Sequence, residues 1–350
     1  MTRYTVHKKH ESGNKTKTVF AVLIIVVLVF TILAGLIKSI SLPNAALEPK
    51  LKWDSKSSFA VALDTTPPSV FVYQREPKRI IFLTLDPKMY FITGNPKTPI
   101  AQIGEAVSGK NGFEIAKVMS LSFGAPVTNY ITFNKQENLD NKTAQKLFKD
   151  FASLGTPLVV MTSGKPSFVK STNITRLDAF RLWWQIKGLS VESANVSDLS
   201  LLSEEVVAAG GQKVLGADTA SLNRKIHDFL ENINIEKEGQ NISILNESGN
   251  QYAATVASDF VQAVGGNVVS EKQGDKTSEN SQIITANRSA YTPSYLAKMF
   301  GCDIRELVSM EKRELVSGEP ERKQAQNNGS DSDNGITIVL GRDFANKYFK

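Results

Sequence analysis

The sequence predicts a mixed α/β protein in which a membrane anchor precedes two folded domains. Three observations support this prediction: an uncharged apolar run near the amino terminus, strand-like and helix-like segments that intermix through the middle of the chain, and a final third with the order β-α-β-β-α-β. Intermixed segments favour a mixed sheet covered by helices. The final order is that of a small ferredoxin-like sandwich.

The composition is that of a globular protein with room for two modest domains. The chain has 350 residues, of which 41% are hydrophobic and 22% are charged, and this balance excludes a disordered chain. The formal net charge is +6. Much of the excess lies before residue 19, where several lysines and Arg3 face the single acid Glu11. The positive charge therefore belongs to a tail and does not indicate nucleic-acid binding.

The apolar run VFAVLIIVVLVFTILAGLI extends from Val19 to Ile37 without a charged residue. A helix of this length crosses roughly 30 Å of hydrocarbon. A secretory signal peptide is the alternative, but its apolar core is shorter, and the cleavage-like site at Ala46 is poor. We therefore predict a cytoplasmic tail over 1–18 and a single-pass, uncleaved signal-anchor over 19–40. The basic residues before the span keep the amino terminus in the cytoplasm and place the main domains outside the cell membrane.

A linker is predicted over 41–57, where two prolines and alternating charge follow the span. The first domain is predicted over 58–236. Its strand-like segments are SFAVALD, SVFVYQ, RIIFLTLD and VTNYITFN. Its helix-like segments are GFEIAKVMSLSFG, which ends at Gly124, and TAQKLFKDFASLG, which ends at Gly155.

The second domain is predicted over 240–350. ISILNESG is a strand, and NQYAATVASDFVQAVGG is a helix that ends at two glycines. NVVSEK and SQIITA are short strands. In YTPSYLAKMFG, Thr292 is predicted as the N-cap, Pro293 as the first helical residue and Gly301 as the residue after the end. A polar segment over 317–335 is predicted to be mobile, and ITIVLG closes the domain as a strand. The predicted inner face of the first helix consists of Ala253, Val256, Ala257, Phe260, Val261 and Val264.

Several kinds of chemistry have too few residues to support them. Cys302 is the one cysteine, so no disulfide forms within the chain. A fold held by its core alone suits a bacterial exported protein. The histidines are His7 and His10 in the tail and a lone His227, which supplies neither a metal site nor a catalytic triad. Cys302 follows a helix end with no histidine nearby and is predicted to be a small buried residue.

The segment TRLDAFRLWWQ carries the candidate binding residues. Asp178, Arg181 and Gln185 share one face of a helix, because residues at i, i+3 and i+7 lie in a row. Trp183 and Trp184 are about 100° apart on that helix, so they do not both point inward. The structural interpretation is a packing helix with an i,i+3 ion pair. The binding interpretation is that one tryptophan lines a groove and stacks against a sugar or holds a lipid tail.

The second domain resembles the C-terminal domain of LytR-CpsA-Psr cell-envelope proteins. The likeness lies in ISILNESGNQYAATVASDFVQAVGGNVV, in the helix around Leu296 and in the terminal ITIVLGRDFANKY. The marker residues are Asn246 and Gly249, and Gly341 and Asp343 after the last strand. The middle of the chain resembles a degenerate form of the same family's catalytic domain.

The resemblance implies an extracytoplasmic protein whose relatives move anionic glycopolymers from a polyprenyl-pyrophosphate carrier to peptidoglycan. Such phosphotransfer uses arginines around the pyrophosphate and acids that hold Mg²⁺. The family's helix reads Asp-x-x-Arg-x-x-Arg-Gln, and here Trp184 stands at its second arginine. The family's strand ending Pro-Arg-Asp corresponds to FLTLDPKMYF, which has Lys88 instead of the arginine. An Arg-x-Asp-Thr segment is absent from this sequence.

Loss of two arginines predicts a noncatalytic protein. An arginine that stabilises a transferring phosphoryl group is worth about 10³ to 10⁵ in rate. Neither lysine nor tryptophan reproduces the planar, two-pronged set of hydrogen-bond donors of a guanidinium group. The expected partners are the membrane, wall glycopolymer, a polyprenyl-linked lipid or another envelope protein. The alternative is a divergent phosphotransferase with Mg²⁺, which convergence of Arg75, Arg79 or Arg176 with the helix would favour. No catalytic residue and no metal ligand is assigned. No cofactor is predicted unless the phosphotransferase alternative with Mg²⁺ holds. The candidate ligand-binding residues are Asp178, Arg181, Gln185, Trp184, Lys88 and Arg79.

The predicted topology is tested with protease added to intact spheroplasts. The large domains should be digested and a short anchored fragment should remain, because everything after the span is expected outside the cytoplasm. Recovery of a soluble, processed protein that lacks residues 1–46 would contradict an uncleaved anchor.

Overall fold

The computed structural model of the chain describes residues 53–95, 97–207, 211, 213–306 and 335–350. The chain divides into two compact units, Met1–Lys50 and Leu51–Lys350, and the described residues belong to the second. Among their helices, none combines the length and the hydropathy that crossing a bilayer requires. The predicted tail, the predicted span over 19–40, residues 41–52 of the predicted linker and nearly all of the predicted mobile segment lie outside the described residues.

Twelve strands lie in the described part of the first half, and the sequence pattern predicted four of them, at Phe59–Leu63, Ser69–Gln74, Arg79–Thr84 and Asn129–Phe133. In chain order they are β1 (Phe59–Leu63), β2 (Thr65–Thr66), β3 (Ser69–Gln74), β4 (Arg79–Thr84), β5 (Tyr90–Asn95), β6 (Thr98–Gln102), β7 (Asn129–Phe133), β8 (Glu137–Asn138), β9 (Val169–Thr172), β10 (Ala194–Asp198), β11 (Ser203–Val207) and β12 (Lys213–Ala217). Six of them form one sheet in the order β10-β4-β3-β1-β7-β9. The neighbours β10 and β4, and β1 and β7, are parallel, whereas the other pairs are antiparallel. The predicted mixed sheet is therefore confirmed.

Seven α-helices accompany these strands. They are α1 (Ile103–Val107), α2 (Gly112–Phe123), α3 (Asn141–Ala152), α4 (Thr156–Ser163), α5 (Arg176–Ile186), α6 (Thr219–Leu230) and α7 (Ile233–Glu238). Helix α2 begins at Asn111, whose side chain accepts a hydrogen bond from the amide of Glu114, and ends at Gly124 with φ 58°, as predicted. The predicted end of the next helix at Gly155 is wrong. Helix α3 stops at Ala152, and Gly155 instead precedes α4, which the sequence did not predict.

Helices cover both faces of the six-stranded sheet. Alternate residues of each strand point to opposite sides of the sheet, so each face presents its own apolar side chains. Ala62, Val72 and Ile81 face a core shared with α2 and α6. Val61 and Phe82 face a core shared with α3 and α5. Both faces are apolar, and each supports a different set of side chains.

The described residues of the second half form a five-stranded sheet and three helices. Its strands are β13 (Asn241–Asn246), β14 (Asn267–Gln273), β15 (Gln282–Thr285), β16 (Asp303–Glu306) and β17 (Ile336–Leu340), and its helices are α8 (Ala253–Ala263), α9 (Tyr291–Phe300) and α10 (Arg342–Phe349). Ile244, Ile338 and Ile283 lie opposite one another across β13, β17 and β15. All three belong to the core beneath the helices. The predicted inner face of α8 is confirmed, with Val256 at its half-buried margin.

The predicted ferredoxin-like order is wrong. The sheet order is β14-β13-β17-β15-β16, and each helix-connected pair, β13 with β14 and β15 with β16, lies side by side in parallel. A ferredoxin-like sandwich instead splits each such pair with another strand. Strand β16 and helix α10 also lie outside the predicted pattern. The linear order of elements does not specify which strands pair, because pairing depends on contacts between distant residues.

The predicted N-cap of α9 at Thr292 is also wrong. The helix begins at Tyr291, so Pro293 is its third residue. The carboxylate of Glu238 accepts hydrogen bonds from the amides of Tyr291 and Thr292, each at 2.8 Å. This cap comes from α7, far away in the sequence, and replaces the local hydroxyl that the sequence suggested. The predicted end at Gly301, with φ 73°, is confirmed.

The two halves meet along several polar and apolar contacts. Phe349 packs on the backbone of Gly94, where a Cβ would lie 2.2 Å from the ring, and this glycine has φ 66°. The side-chain amide of Asn250 donates to the carbonyl of Gly94 at 2.9 Å. The hydroxyl of Tyr291 donates to Asp54 and accepts from Asn232, both at 2.9 Å. These contacts connect the β5–β6 hairpin and the segment before β1 with the second sheet.

Residues 307–334 lie in the sequence between β16 and β17, and one end of each of these strands lies beside the same residue of β15, Thr285. Glu306 at the end of β16 and Ile336 at the start of β17 both pair with Thr285 of β15, from opposite sides. Neighbouring strands lie about 4.8 Å apart. The two ends are therefore about 10 Å apart across the sheet.

Asp259 of α8 is a partly buried acid at the contact between α8 and α6. It lines a small cavity together with Asn223, Arg224 and His227. Burial raises the pKa of its carboxyl to about 6, and the negative charge of Glu271 adds to the shift. The folded state thus disfavours the ionised form, so the fold loses stability as the pH rises from about 4 to about 6.

Replacing Asp259 with asparagine should stabilise the protein at pH 7.5 and have little effect at pH 4, because only the ionised acid carries the burial cost. The expected gain is about 1–2 kcal/mol, less than the full pKa shift implies because the group is partly solvated. Urea unfolding at both pH values measures it, and Asp275→Asn at an exposed position is the control. Equal effects of Asp259→Asn at both pH values would contradict the assignment.

Candidate functional site

Helix α5 carries four of the six candidate residues and begins with a local cap. The hydroxyl of Thr175 accepts a hydrogen bond from the amide of Asp178 at 3.1 Å, which satisfies one free donor of the first turn. Leu182 and Ile186 are buried against the six-stranded sheet, and Trp183 is buried beside them on α5. Packing on these apolar residues fixes how the polar residues of α5 are placed.

Asp178 and Arg181 hold the backbone of Trp53. Asp178 is 2% exposed. One of its oxygens accepts from the amide of Trp53 at 3.1 Å, and the other accepts from the hydroxyl of Thr175 at 2.7 Å. Nη1 of Arg181 lies 3.6 Å from Oδ1 of Asp178 and donates to the carbonyl oxygen of Trp53. The predicted i,i+3 ion pair is confirmed, and it binds both polar backbone groups of a residue 125 positions away.

A second guanidinium joins the same place. Arg75, at the turn after β3, donates from Nη1 to the carbonyl oxygen of Ser55. Arg75 and Arg181 therefore converge with Asp178 on one segment, which we call the clamp segment and define as residues 53–57. These charged groups meet around the chain's own peptide bonds.

The remaining basic candidates lie elsewhere. Arg79 starts β4 and faces the opposite side of the sheet, where it bonds Gln74 and lies 5.2 Å from the ring centroid of Phe229. Lys88 is exposed in the turn beyond the other end of β4, a strand whose six residues span about 17 Å. Arg176 starts α5 and donates to the carbonyl of Met161 at 3.2 Å. The structure therefore does not bring Arg79, Lys88 or Arg176 to the clamp segment.

Gln185 and Trp184 differ in their surroundings. The hydroxyl of Tyr73 lies 3.5 Å from Oε1 of Gln185, its hydrogen-bond acceptor. Trp184 is 57% exposed, and the ammonium of Lys187 lies 3.5 Å from its ring centroid. Trp183 is buried and donates from Nε1 to the carbonyl of Ser153 at 2.9 Å. The prediction that the two tryptophans do not both point inward is confirmed. Whether these candidates bind a ligand stays a prediction.

Beneath α5 lies an apolar cavity that sequence reasoning missed. It lies between the sheet and helices α3, α4 and α5. Aliphatic and phenylalanine side chains form its wall, and Lys165 is the charged residue at its lining. Its aromatic and helical lining residues include Phe71, Phe82, Phe133, Phe148, Phe151, Phe168, Val160, Ala179 and Leu182. The spacing of Phe148 and Phe151 on α3 could have suggested an aromatic wall, but the same pattern is typical of an ordinary core.

Cys302 has the chemistry of a structural residue. Burial raises the pKa of its thiol to about 12, and the charges of Asp343 and Asp303 act in the same direction. The group stays protonated at neutral pH, whereas the thiolate is the nucleophilic form.

No family model matches the sequence, and a search of curated proteins finds no match. Among solved structures, the chain is similar to TagV of B. subtilis, with 10% identity and a TM-score of 0.34 over 48% of this chain and 94% of that one. It is also similar to the LytR-CPS2A-psr family protein YwtF (TagT) with bound octaprenyl pyrophosphate lipid, with 13% identity and a TM-score of 0.33 over 51% and 93%. A third similar structure is TagT bound to LIIa-WTA, with 13% identity and a TM-score of 0.33 over 53% and 95%.

Replacing Asp178 with alanine should destabilise the protein by about 3 kcal/mol, because it leaves the Trp53 amide and the Arg181 guanidinium without their buried partner. Urea unfolding followed by tryptophan fluorescence measures the loss. Asp150→Ala removes an exposed carboxylate at the end of α3 and should change stability by less than about 0.5 kcal/mol. Similar losses in the two variants would show that the clamp segment is not held by Asp178.

Proposed function

We propose that this protein is a membrane-anchored, extracytoplasmic protein of the bacterial cell envelope that binds wall glycopolymer or its polyprenyl-linked carrier without transferring it. The observation that carries the proposal is the clamp segment. Asp178, Arg181 and Arg75 are engaged with its backbone, so the charged groups that would surround a pyrophosphate are used within the fold. Another envelope protein is the other partner class that this proposal admits.

Phosphotransfer needs guanidinium groups that are free to meet the developing charge of the phosphoryl group. Arg181 bonds a peptide carbonyl, and Trp184 stands where the resembled family has its second arginine. Lys88 lies beyond the far end of β4 from Arg79. The arrangement therefore favours binding over catalysis.

The apolar cavity supports the binding part of the proposal. Its phenylalanine-rich wall suits a hydrocarbon chain, because such a surface gains free energy when it excludes water and offers few polar groups to desolvate. Lys165, at the lining, gives the cavity one positive charge for an anionic headgroup. A polyprenyl-linked sugar phosphate combines these two chemistries.

The second candidate function is a divergent phosphotransferase that uses Mg²⁺. One observation favours it: Arg75, Arg181 and Asp178 meet at the same place. Displacement of the clamp segment would turn these groups toward a ligand. In that case Asp178 is the candidate carboxylate for the metal.

The experiment measures phosphate release and lipid binding by the purified protein with a C15 polyprenyl pyrophosphate and Mg²⁺. We expect binding without turnover. Val160→Phe should weaken binding at least about tenfold, or about 1.4 kcal/mol, because this buried residue of α4 lines the cavity and a larger ring fills it. Val207→Phe, at an exposed position outside both the cavity and α4, should leave the affinity unchanged.

Circular dichroism establishes that both variants are folded before their affinities are compared. Magnesium-dependent phosphate release by the wild type, lost in Arg181→Ala, would replace the binding function with the transferase. Equal affinities for the Val160 and Val207 variants would remove the cavity from the proposal.

A further inference from the structure

Helix α4 is apolar on all sides yet lies at the surface. Its sequence, TPLVVMTS, contains five consecutive apolar residues with proline included. Val160 faces the cavity, whereas Leu158 on the outer side is 70% exposed and Val159 beside it is also exposed. A helix that is apolar all round is normally buried in a core or in a membrane. Within the described residues, nothing covers the outer side of α4.

The two hydroxyl groups in the last turn of α4 are satisfied within the helix. The Thr162 hydroxyl donates to the carbonyl of Leu158 at 2.8 Å, and the Ser163 hydroxyl donates to that of Val159 at 2.6 Å. Hydroxyls that bond back to the preceding turn have no need of water as an acceptor. The polar groups on the outer side of α4 would therefore cost little to bring into an apolar medium.

The apolar surface continues onto the neighbouring residues. Leu154, just before α4, is 84% exposed, and the carbonyl of the adjacent Ser153 bonds the indole of Trp183. The ring of Trp183 lies 6.2 Å from that of Trp184, which is also exposed. We call this surface the outer patch and define it as Leu154, Leu158, Val159 and Trp184. An exposed tryptophan beside leucines is the composition that favours a membrane interface.

The segment that carries the outer patch has an excess of basic residues. Residues 150–192 contain three acids, Asp150, Asp178 and Glu192, of which Asp178 is buried and paired. The basic residues of the same stretch are Lys165, Lys170, Arg176, Arg181 and Lys187. Lys187 lies against the ring of Trp184. The charge complements an anionic surface and would repel a second copy of the same patch.

The first described residue of the chain contacts the helix that carries part of the outer patch. Trp53 is the first described residue, and α5 holds its backbone through Asp178 and Arg181. The predicted span Val19–Ile37 precedes it by residues 38–52, a stretch that reaches at most about 50 Å when fully extended. The chain that follows the predicted span therefore first contacts the described residues at α5, the helix that bears Trp184.

We propose that the outer patch docks on the bilayer surface, with its leucines, valine and tryptophan in the interfacial region and the surrounding lysines and arginines on anionic phospholipid headgroups. Interfacial helices of this kind lie in the plane of the membrane with their apolar face about 5–10 Å deep in the boundary between headgroups and acyl chains. The inference rests on the predicted anchor and is independent of the proposed polymer binding.

The test uses the full chain in vesicles of phosphatidylcholine and phosphatidylglycerol that contain phosphatidylcholine brominated near the headgroup end of its acyl chains. The chain has three tryptophans; Trp53 and Trp183 are buried, so bromine should quench Trp184. Quenching should disappear in Trp184→Phe and should fall at least about twofold in Leu158→Glu, because a carboxylate opposes insertion and is repelled by anionic lipid.

Leu201→Glu is the matched control, since Leu201 is 87% exposed outside the outer patch and its variant should be quenched like the wild type. Equal quenching of the two glutamate variants, or quenching as strong in vesicles without phosphatidylglycerol, would overturn the proposal. The proposal would also be overturned if the wild type is not quenched but associates with itself in detergent, and Leu158→Glu abolishes that association. The outer patch would then bind a second copy of the chain.

Discussion

The clamp segment is the interaction on which the rest of the structure depends. The two backbone groups of Trp53 bond Asp178 and Arg181 of α5, while its indole packs on Phe59 and donates to the carbonyl of Ser57 at 3.0 Å. One residue later, Asp54 accepts from Tyr291 of α9. Burial alone would raise the pKa of Asp54, but hydrogen bonds from Lys56, Tyr291 and Ser57 outweigh it and hold the pKa below its usual value. Removing Asp178 would take away the acceptor of the Trp53 amide and the carboxylate that lies near Arg181.

Some elements of the fold were predictable from local patterns, whereas others and the pairing of the strands were not. Alternating apolar residues located β1, β3 and β4, and a glycine with positive φ ended α2, because these signals act over a few residues. Helix α4 was missed, since a helix that is apolar on every side has no periodicity to detect. The cap of α9 and the order of the second sheet depend on partners distant in the sequence, such as Glu238, and no short pattern specifies them.

The candidate site shows the same division. The spacing of Asp178 and Arg181 predicted their ion pair, and the angle between Trp183 and Trp184 predicted that one is exposed. The sequence offered no sign that the ion pair encloses a peptide, because Trp53 lies 125 residues away. Helix α4 lies between the apolar cavity and the outside of the protein, with Val160 facing the cavity and Leu158 exposed. A lipid that reached the cavity from a docked membrane would have only this one helix to pass.

The pairing of Glu306 and Ile336 on either side of Thr285 has a consequence for protein engineering. Two strand ends about 10 Å apart can be joined by three or four residues. The stretch 307–334 is far longer than that connection requires, and the cost of closing a loop grows only slowly with its length. This point in the second sheet is therefore suited to a shortened connection or to an inserted reporter domain that leaves the strand register intact.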